Sequence, residues 1–259
     1  MAEIEFETQH LAPDICWPDN RRIAVVFNLA YEMWSPGVTS GLVSILERHD
    51  VPVTLMTSGL VAETFPEQLR TYAARGHDIV GHGLAQDMIF PMLSADDAER
   101  SILRSTAAIE AATGRRPTGW ISPRVTSSTA TQSLLAAHGY HWHGDVLDGD
   151  HPYLQRFDSG DILAIPMSVE FNDLPHAMRF GRTPTQFVEM FQDALTGLRS
   201  QPAETIILDI IAHGHCYGRP AAAWTVDEIA SLCKEDDSLW LTTRSKITAH
   251  CRKIGRHAA

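Results

Sequence analysis

The chain alternates short, continuous apolar runs with longer amphipathic stretches. Ile23-Ala24-Val25-Val26-Phe27 follows the turn-like Pro18-Asp19-Asn20, and its unbroken apolar character predicts a strand buried on both faces. Residues 37–49 place Leu42, Ile45 and Leu46 on one helical side, and Val53-Thr54-Leu55-Met56 reads as the next strand. These three segments make a βαβ unit. The pattern continues with a helix near 66–75 ended by Gly76, a strand at 78–80, a helix near 95–112 ended by Gly114 and a strand at 119–121. Leu134 to Ala137 belong to a helix closed by Gly139, with a strand near 140–143. Strands at 162–166 and 205–211, a helix near 184–198 and a final helix near 226–233 complete the series. Repeated strand-then-helix order requires a parallel sheet, and this many units favour closure into a barrel. Neither a solenoid repeat nor a Gly-, Ser- or Pro-rich linker divides the chain, so residues 1–259 read as one domain.

The formal charge of -11 argues against a nucleic-acid partner, whose affinity draws on clustered Lys and Arg, and gives no reason to expect an anionic membrane surface. No segment approaches the roughly 20 apolar residues that span a bilayer. Residues 1–10 lack the basic start and apolar run of a secretory signal, so a cytoplasmic protein is expected. Cys16, Cys216, Cys233 and Cys251 include no C-x-x-C pair, and idle or buried thiols are the better reading.

In a parallel barrel, catalytic groups gather where strands end and loops begin. The polar residues that follow predicted strands are Asn28, Tyr31 and Glu32, then His82, then Arg124, then Asp145, Asp148 and Asp150. Glu170, Asn172 and Asp173 come next, followed by His213 and His215. Any one of these is more simply a loop cap or a surface group; as a set they predict a single mouth. Glu32, His82, Arg124 and His213 are expected to converge there. His138, His141, His143 and His151 form a local cluster, for which solvated or core histidine is the commoner outcome.

At this point the motifs resemble those of a known family. Thr64-Phe65-Pro66-Glu67-Gln68 and Arg75-Gly76-His77-Asp78-Ile79-Val80-Gly81-His82-Gly83 resemble the second motif region of polysaccharide deacetylases. Gly114-Arg115-Arg116-Pro117-Thr118-Gly119-Trp120 with Pro123-Arg124 resembles the third, and Asp150-His151-Pro152-Tyr153 the segment after it. Residues 166–173 and His213 through Gly218-Arg219-Pro220 resemble the later motifs of the branch that holds peptidoglycan deacetylases, cyclic imidases and metal-independent allantoinases. The resemblance covers residues 18 to 235. It implies a distorted seven- or eight-stranded (β/α) parallel barrel of the polysaccharide deacetylase type.

The resemblance also implies chemistry, through its departures as much as its matches. The family's first motif has paired Asp residues, where this chain has Asn28-Leu29-Ala30-Tyr31-Glu32; its second has two His at i and i+4, where His82 is followed by Gln86. Two of three implied metal ligands are therefore replaced, and an amide is a poor substitute for imidazole or carboxylate on zinc. No cofactor is expected; a zinc site rebuilt from Glu32, His82 and Asp87 is the alternative. Cleaving an amide without metal needs a general base, an oxyanion stabiliser and a proton for the departing nitrogen. Glu32 is the candidate base, with its pKa expected to rise through burial under Tyr31, Trp34 and Trp120. His82 would polarise the carbonyl or position water, His213 would protonate the nitrogen, and Arg124 would grip an acidic group. Tyr31, Trp34, Trp120, Asp150 and Asp173 are the candidate substrate contacts. The expected activity is hydrolysis of a small amide or imide, allantoin-like or N-acyl, by a homo-oligomer. A metal-dependent deacetylase of N-acetyl sugars, or a binding protein without activity, are the alternatives.

Overall fold

A computed structural model describes residues 4–11, 16–201 and 205–255. In chain order it contains β1 (Glu7–His10), β2 (Ile23–Tyr31), α1 (Pro36–Arg48), β3 (Val53–Thr57), α2 (Gly59–Thr64), α3 (Pro66–Ala74) and β4 (Asp78–Gly81). There follow α4 (Ala95–Thr113), β5 (Gly119–Trp120), α5 (Thr129–Ala137), β6 (Trp142–His143), β7 (Tyr153–Phe157) and β8 (Gly160–Ala164). The chain continues through α6 (Pro184–Ser200), β9 (Ile206–His213), α7 (Trp224–Lys234), β10 (Leu239–Thr242) and α8 (Arg244–Gly255).

Seven strands run parallel in the order β9, β2, β3, β4, β5, β6, β8, curling into a barrel wall. The seam between β8 and β9 has no ladder among the described residues. It is held by a single parallel bridge, Asn172 to Ile211, and by Ser168, whose amide donates to Asp209 (3.0 Å) and whose hydroxyl accepts from the Asp209 amide (2.7 Å). The fold is thus the distorted barrel expected, with seven strands rather than eight. Three strands lie outside the predicted series: β1 and β7 extend the sheet antiparallel from β8, and β10 pairs with Ile23–Val26. β3 pairs with the other half of β2, Phe27–Tyr31, so β10 fills the space where β2 runs below β3. The helix at 226–233 is not the last; α8 follows it and closes the barrel floor with Ile247 and Cys251.

Alternation along the strands sorts the chain into two buried sets. From β2, Ala24, Val26 and Ala30 point into the barrel with Met56, Val80, Ile121, Trp142, Ile165 and Ile211. Val25, Phe27, Leu29 and Tyr31 point outward onto the helix layer, against Leu42, Leu46, Val226 and Ile229. Position 119 faces inward and is glycine because Trp142 leaves no room for a side chain there; an added Cβ would lie 2.2 Å from the indole.

Midway up the interior sits a fully buried ion pair. Arg244 donates from Nη2 to Asp209 Oδ2 (2.6 Å) and from Nε to Oδ1 (3.1 Å), and Nη1 and Nη2 also donate to the carbonyls of Ile165 and Pro166. Asn28 Nδ2 donates to the same Asp209 Oδ1 at 2.8 Å. Removing one partner of such a pair leaves an uncompensated charge in a dry interior, a loss of about 3–5 kcal/mol. Asp209→Ala is therefore expected to lower unfolding stability in urea by about that amount. A cost under about 1 kcal/mol would mean that the guanidinium finds another partner or water.

Candidate active site

The inward parity that puts Asn28 and Asp209 in the ion-paired layer puts Glu32 and His213, four positions further along, at the mouth above it. Val80 faces inward, so His82 does as well. Glu32, His82, Arg124 and His213 all line one cavity of about 820 Å³ at the carboxyl ends of the strands.

Inside it, His82 Nε2 lies 3.2 Å from Glu32 Oε1, and His82 Nδ1 lies 2.6 Å from the Ile121 carbonyl. A carbonyl only accepts, so Nδ1 carries a proton and Nε2 faces the carboxyl; the two side chains share one proton between them. Burial alone would raise the Glu32 carboxyl. The hydrogen bond and charge of His82, together with His213 and His215, outweigh it and hold Glu32 below its ordinary value. This corrects the expected rise. Two of the three aromatic rings invoked to bury Glu32 lie on the far side of the barrel wall.

His213 is oriented from behind. Its Nδ1 donates to Asp173 Oδ1 at 2.6 Å, and Asp173 Oδ2 accepts from the His213 amide (2.8 Å) and the Tyr217 amide (3.0 Å). Burial disfavours the charged ring, but the Asp173 carboxylate, and Glu32 after it, raise the imidazole above its ordinary value. His215 moves the other way, lowered by burial and by the neighbouring His213, whose ring lies 5.5 Å away. The turn that carries both is tight: an added Cβ on Gly214 would meet Ser35 Oγ at 2.6 Å and Thr39 Oγ1 at 2.7 Å. Burial pushes the Cys216 thiol up to about 12, which removes it as a nucleophile at neutral pH.

Among the proposed substrate contacts, Trp34 lines the cavity and is 65% exposed. Tyr31 points outward, where its hydroxyl donates to Gln68 at 2.8 Å. Trp120 also points outward, between Phe90 and Tyr140, with its indole N–H on Ser122. Asp150 is exposed away from the cavity, and Asp173 is fully buried behind His213, so it positions that ring rather than meeting substrate. Asp87 is exposed and absent from the cavity lining. Among the described residues no group of three His, Cys, Asp or Glu side chains is arranged to hold a metal.

Sequence reasoning passed over two features of the lining. The Gln86 side-chain oxygen is buried in the cavity wall without a hydrogen-bond partner among the described residues. The segment after Asp173 brings Leu174, His176, Arg179, Phe180 and Arg182 over the mouth. Arg124 reaches the cavity from a turn in which both it (φ 60°) and Val125 (φ 54°) are left-handed, a conformation costly for a β-branched residue.

Comparison with known proteins agrees with the fold. The family described as Polysaccharide deacetylase matches residues 18–143. A peptidoglycan deacetylase of Helicobacter pylori is 26% identical over 170 residues, 56% of this chain and 58% of that protein. A chitooligosaccharide deacetylase of Sinorhizobium fredii is 31% identical over 128 residues, 46% of this chain and 56% of that protein. The chain thus spans little more than half the length of either relative. Among solved structures, a Mycobacterium smegmatis chain assigned to the polysaccharide deacetylases superposes with a TM-score of 0.83 at 25% identity, covering 95% of each chain. Puue allantoinase superposes with a TM-score of 0.80 at 24% identity, covering 92% of each.

Because Asp173 is what lifts His213, Asp173→Asn is expected to lower the His213 titration midpoint observed by NMR. A raised folded-state pKa adds stability below the ordinary value of 6.5 that is lost as pH climbs through the folded value. The stability gap between wild type and Asp173→Asn should therefore be widest in mild acid and narrow towards alkaline pH. An unchanged midpoint would show that Asp173 does not control the ring.

Proposed function

Because the chain belongs to the polysaccharide deacetylase superfamily, we propose that it hydrolyses non-peptide carbon–nitrogen bonds by a general-base mechanism, opening a small cyclic amide or imide or removing an N-acyl group. The observation that carries this is the facing of two proton-handling units across one cavity: Glu32 with His82, and His213 with Asp173.

The superfamily implies a divalent metal, and the donors here do not fit one. Ala30 and Gln86 occupy two of the implied ligand positions, Glu32 and His82 are engaged with each other, and Asp87 faces away. No step is routed through a metal. A carboxylate held deprotonated by neighbouring histidines takes a proton from water as the water attacks the carbonyl carbon. Gln86, whose amide oxygen is unpartnered in the cavity wall, is free to turn its Nε2 N–H towards the carbonyl oxygen and donate to it as it becomes an oxyanion. The Nε2 proton of His213 goes to the departing nitrogen as the carbon–nitrogen bond breaks. The apolar side chains Met56, Ile121, Met167 and Ile211 keep bulk water from the reacting groups and strengthen each charge interaction.

Glu32→Gln keeps the shape of the side chain and removes its basicity. It is expected to fold normally and to lose at least about a hundredfold in turnover. The wild-type rate should rise with pH as Glu32 ionises below its ordinary 4.5, and fall as His213 deprotonates above its ordinary 6.5. Near-wild-type turnover in Glu32→Gln would sink this mechanism. The substrate panel is allantoin, succinimide, hydantoin and N-acetylglucosamine oligomers. Turnover confined to the oligomers would replace ring opening by N-deacylation, and none at all would sink the hydrolase. On the best substrate, chelator is expected to leave the rate unchanged. Loss of activity together with about one equivalent of zinc per chain would mean that the ligand set has been rebuilt.

A further inference from the structure

The residues between Asp173 and α6 have no part in the proton transfers above, yet they roof the same cavity. Pro175–Arg179 forms a wide helical turn, and the Arg182 amide donates back to the His176 carbonyl at 3.1 Å, folding the segment into a compact strap. His176 pins the strap from beneath: it is buried, its Nε2 donates to the Thr183 carbonyl at 3.1 Å, and its ring lies 5.0 Å from Phe187. Gly181, at φ 62°, turns the chain so that the residues on either side reach the same ring. The Arg179 guanidinium stands 5.6 Å and that of Arg182 5.8 Å from the centre of Phe180, which is 62% exposed at the mouth. Stacking on an aromatic face restrains a guanidinium while leaving its N–H fork able to bind; Arg182 Nη1 donates only to the weak acceptor Met190 Sδ at 3.8 Å.

Charge makes this pair unusual. The chain has 32 acidic against 21 basic residues, and arginines elsewhere, such as Arg48, Arg75, Arg104 and Arg199, lie against carboxylates. Arg179 and Arg182 have no carboxylate partner among the described residues, and neither has Arg124, which lines the same cavity. The lining holds these three arginines against two glutamates, Glu32 and Glu170, with His82, His213 and His215 beside them, so the cavity is positive on balance.

We propose that Arg179 and Arg182, braced on Phe180, form a specificity site for a single carboxylate carried by the substrate away from the bond that is cleaved. The assignment of a scissile amide rests on the hydrolase reading; the anion site does not. Two forked guanidinium groups held on one ring match a carboxylate in plane and in charge. The floor of the cavity then receives the neutral amide, beneath the strap that follows Asp173, the residue that orients His213.

The test is a matched pair of probes, 5-(carboxymethyl)hydantoin and its carboxamide, titrated calorimetrically into the Glu32→Gln protein so that turnover does not consume them. The carboxylate is expected to bind at least about tenfold tighter than the carboxamide. Arg179→Gln with Arg182→Gln should abolish that preference while leaving carboxamide binding and the melting temperature unchanged. Each single substitution should remove part of the preference, so the result stays readable if the double variant unfolds. Equal binding of the two probes, or a preference that survives the double substitution, would overturn the proposal. So would inorganic phosphate displacing the carboxylate probe better than acetate does. Because binding is read without catalysis, failure of the hydrolase mechanism leaves this outcome intact.

Discussion

The strands of this barrel have no solvent face, and most of what the site does follows from that constraint. A strand buried on both sides must send alternate side chains into two different environments, a helix-packed shell and a narrow interior, with no freedom to slip by one residue. Along β2 the outward set is Val25, Phe27, Leu29 and Tyr31, and the inward set is Ala24, Val26, Asn28, Ala30 and then Glu32. The small inward residues leave room for Trp142 and Arg244 to fill the axis, and Glu32 emerges where the interior opens. Register thus places the carboxylate, and the ion-paired layer beneath it keeps the floor closed.

The same constraint explains what was legible in the sequence. Long amphipathic helices and buried apolar runs announce themselves, so α1, α3, α4, α6 and α7 and strands β2, β3, β4 and β9 stand close to where their patterns put them. The strands β1, β7 and β10 were not legible, because they lie outside the strand-then-helix alternation that marks the rest of the sheet. Nor was α8, a largely polar helix of which one narrow stripe, Ile247 and Cys251, plugs the barrel. Within the site, position after a strand was a good guide for Glu32, His82, Arg124 and His213. It failed for Tyr31 and Trp120, where parity overrules proximity and turns a neighbouring side chain to the opposite face. Asp173 lay in the right place in another capacity, since a carboxylate beneath an imidazole was indistinguishable in sequence from one facing substrate. The arginine strap carried no pattern at all, being assembled by a wide turn and a left-handed glycine.

Electrostatic coupling across the cavity gives the two proton-handling units their opposite tendencies. Burial works against charge on both, raising a carboxyl and lowering an imidazole. In each, a local partner overrides burial: His82 for Glu32, and Asp173 for His213. The two units then reinforce each other, because the charge of His213 helps to keep Glu32 ionised and the charge of Glu32 helps to keep His213 protonated. The carboxylate that accepts a proton and the imidazolium that donates one in the proposed mechanism are thereby favoured together in the resting protein. A base whose affinity for protons is lowered is weaker in principle. The arrangement compensates by holding it ready in its working form, with the His82 ring 3.2 Å away to fix its orientation. In the mechanism we propose, the positive charge that a metal would bring beside the carboxylate is supplied by histidines that the strand register points at the same space.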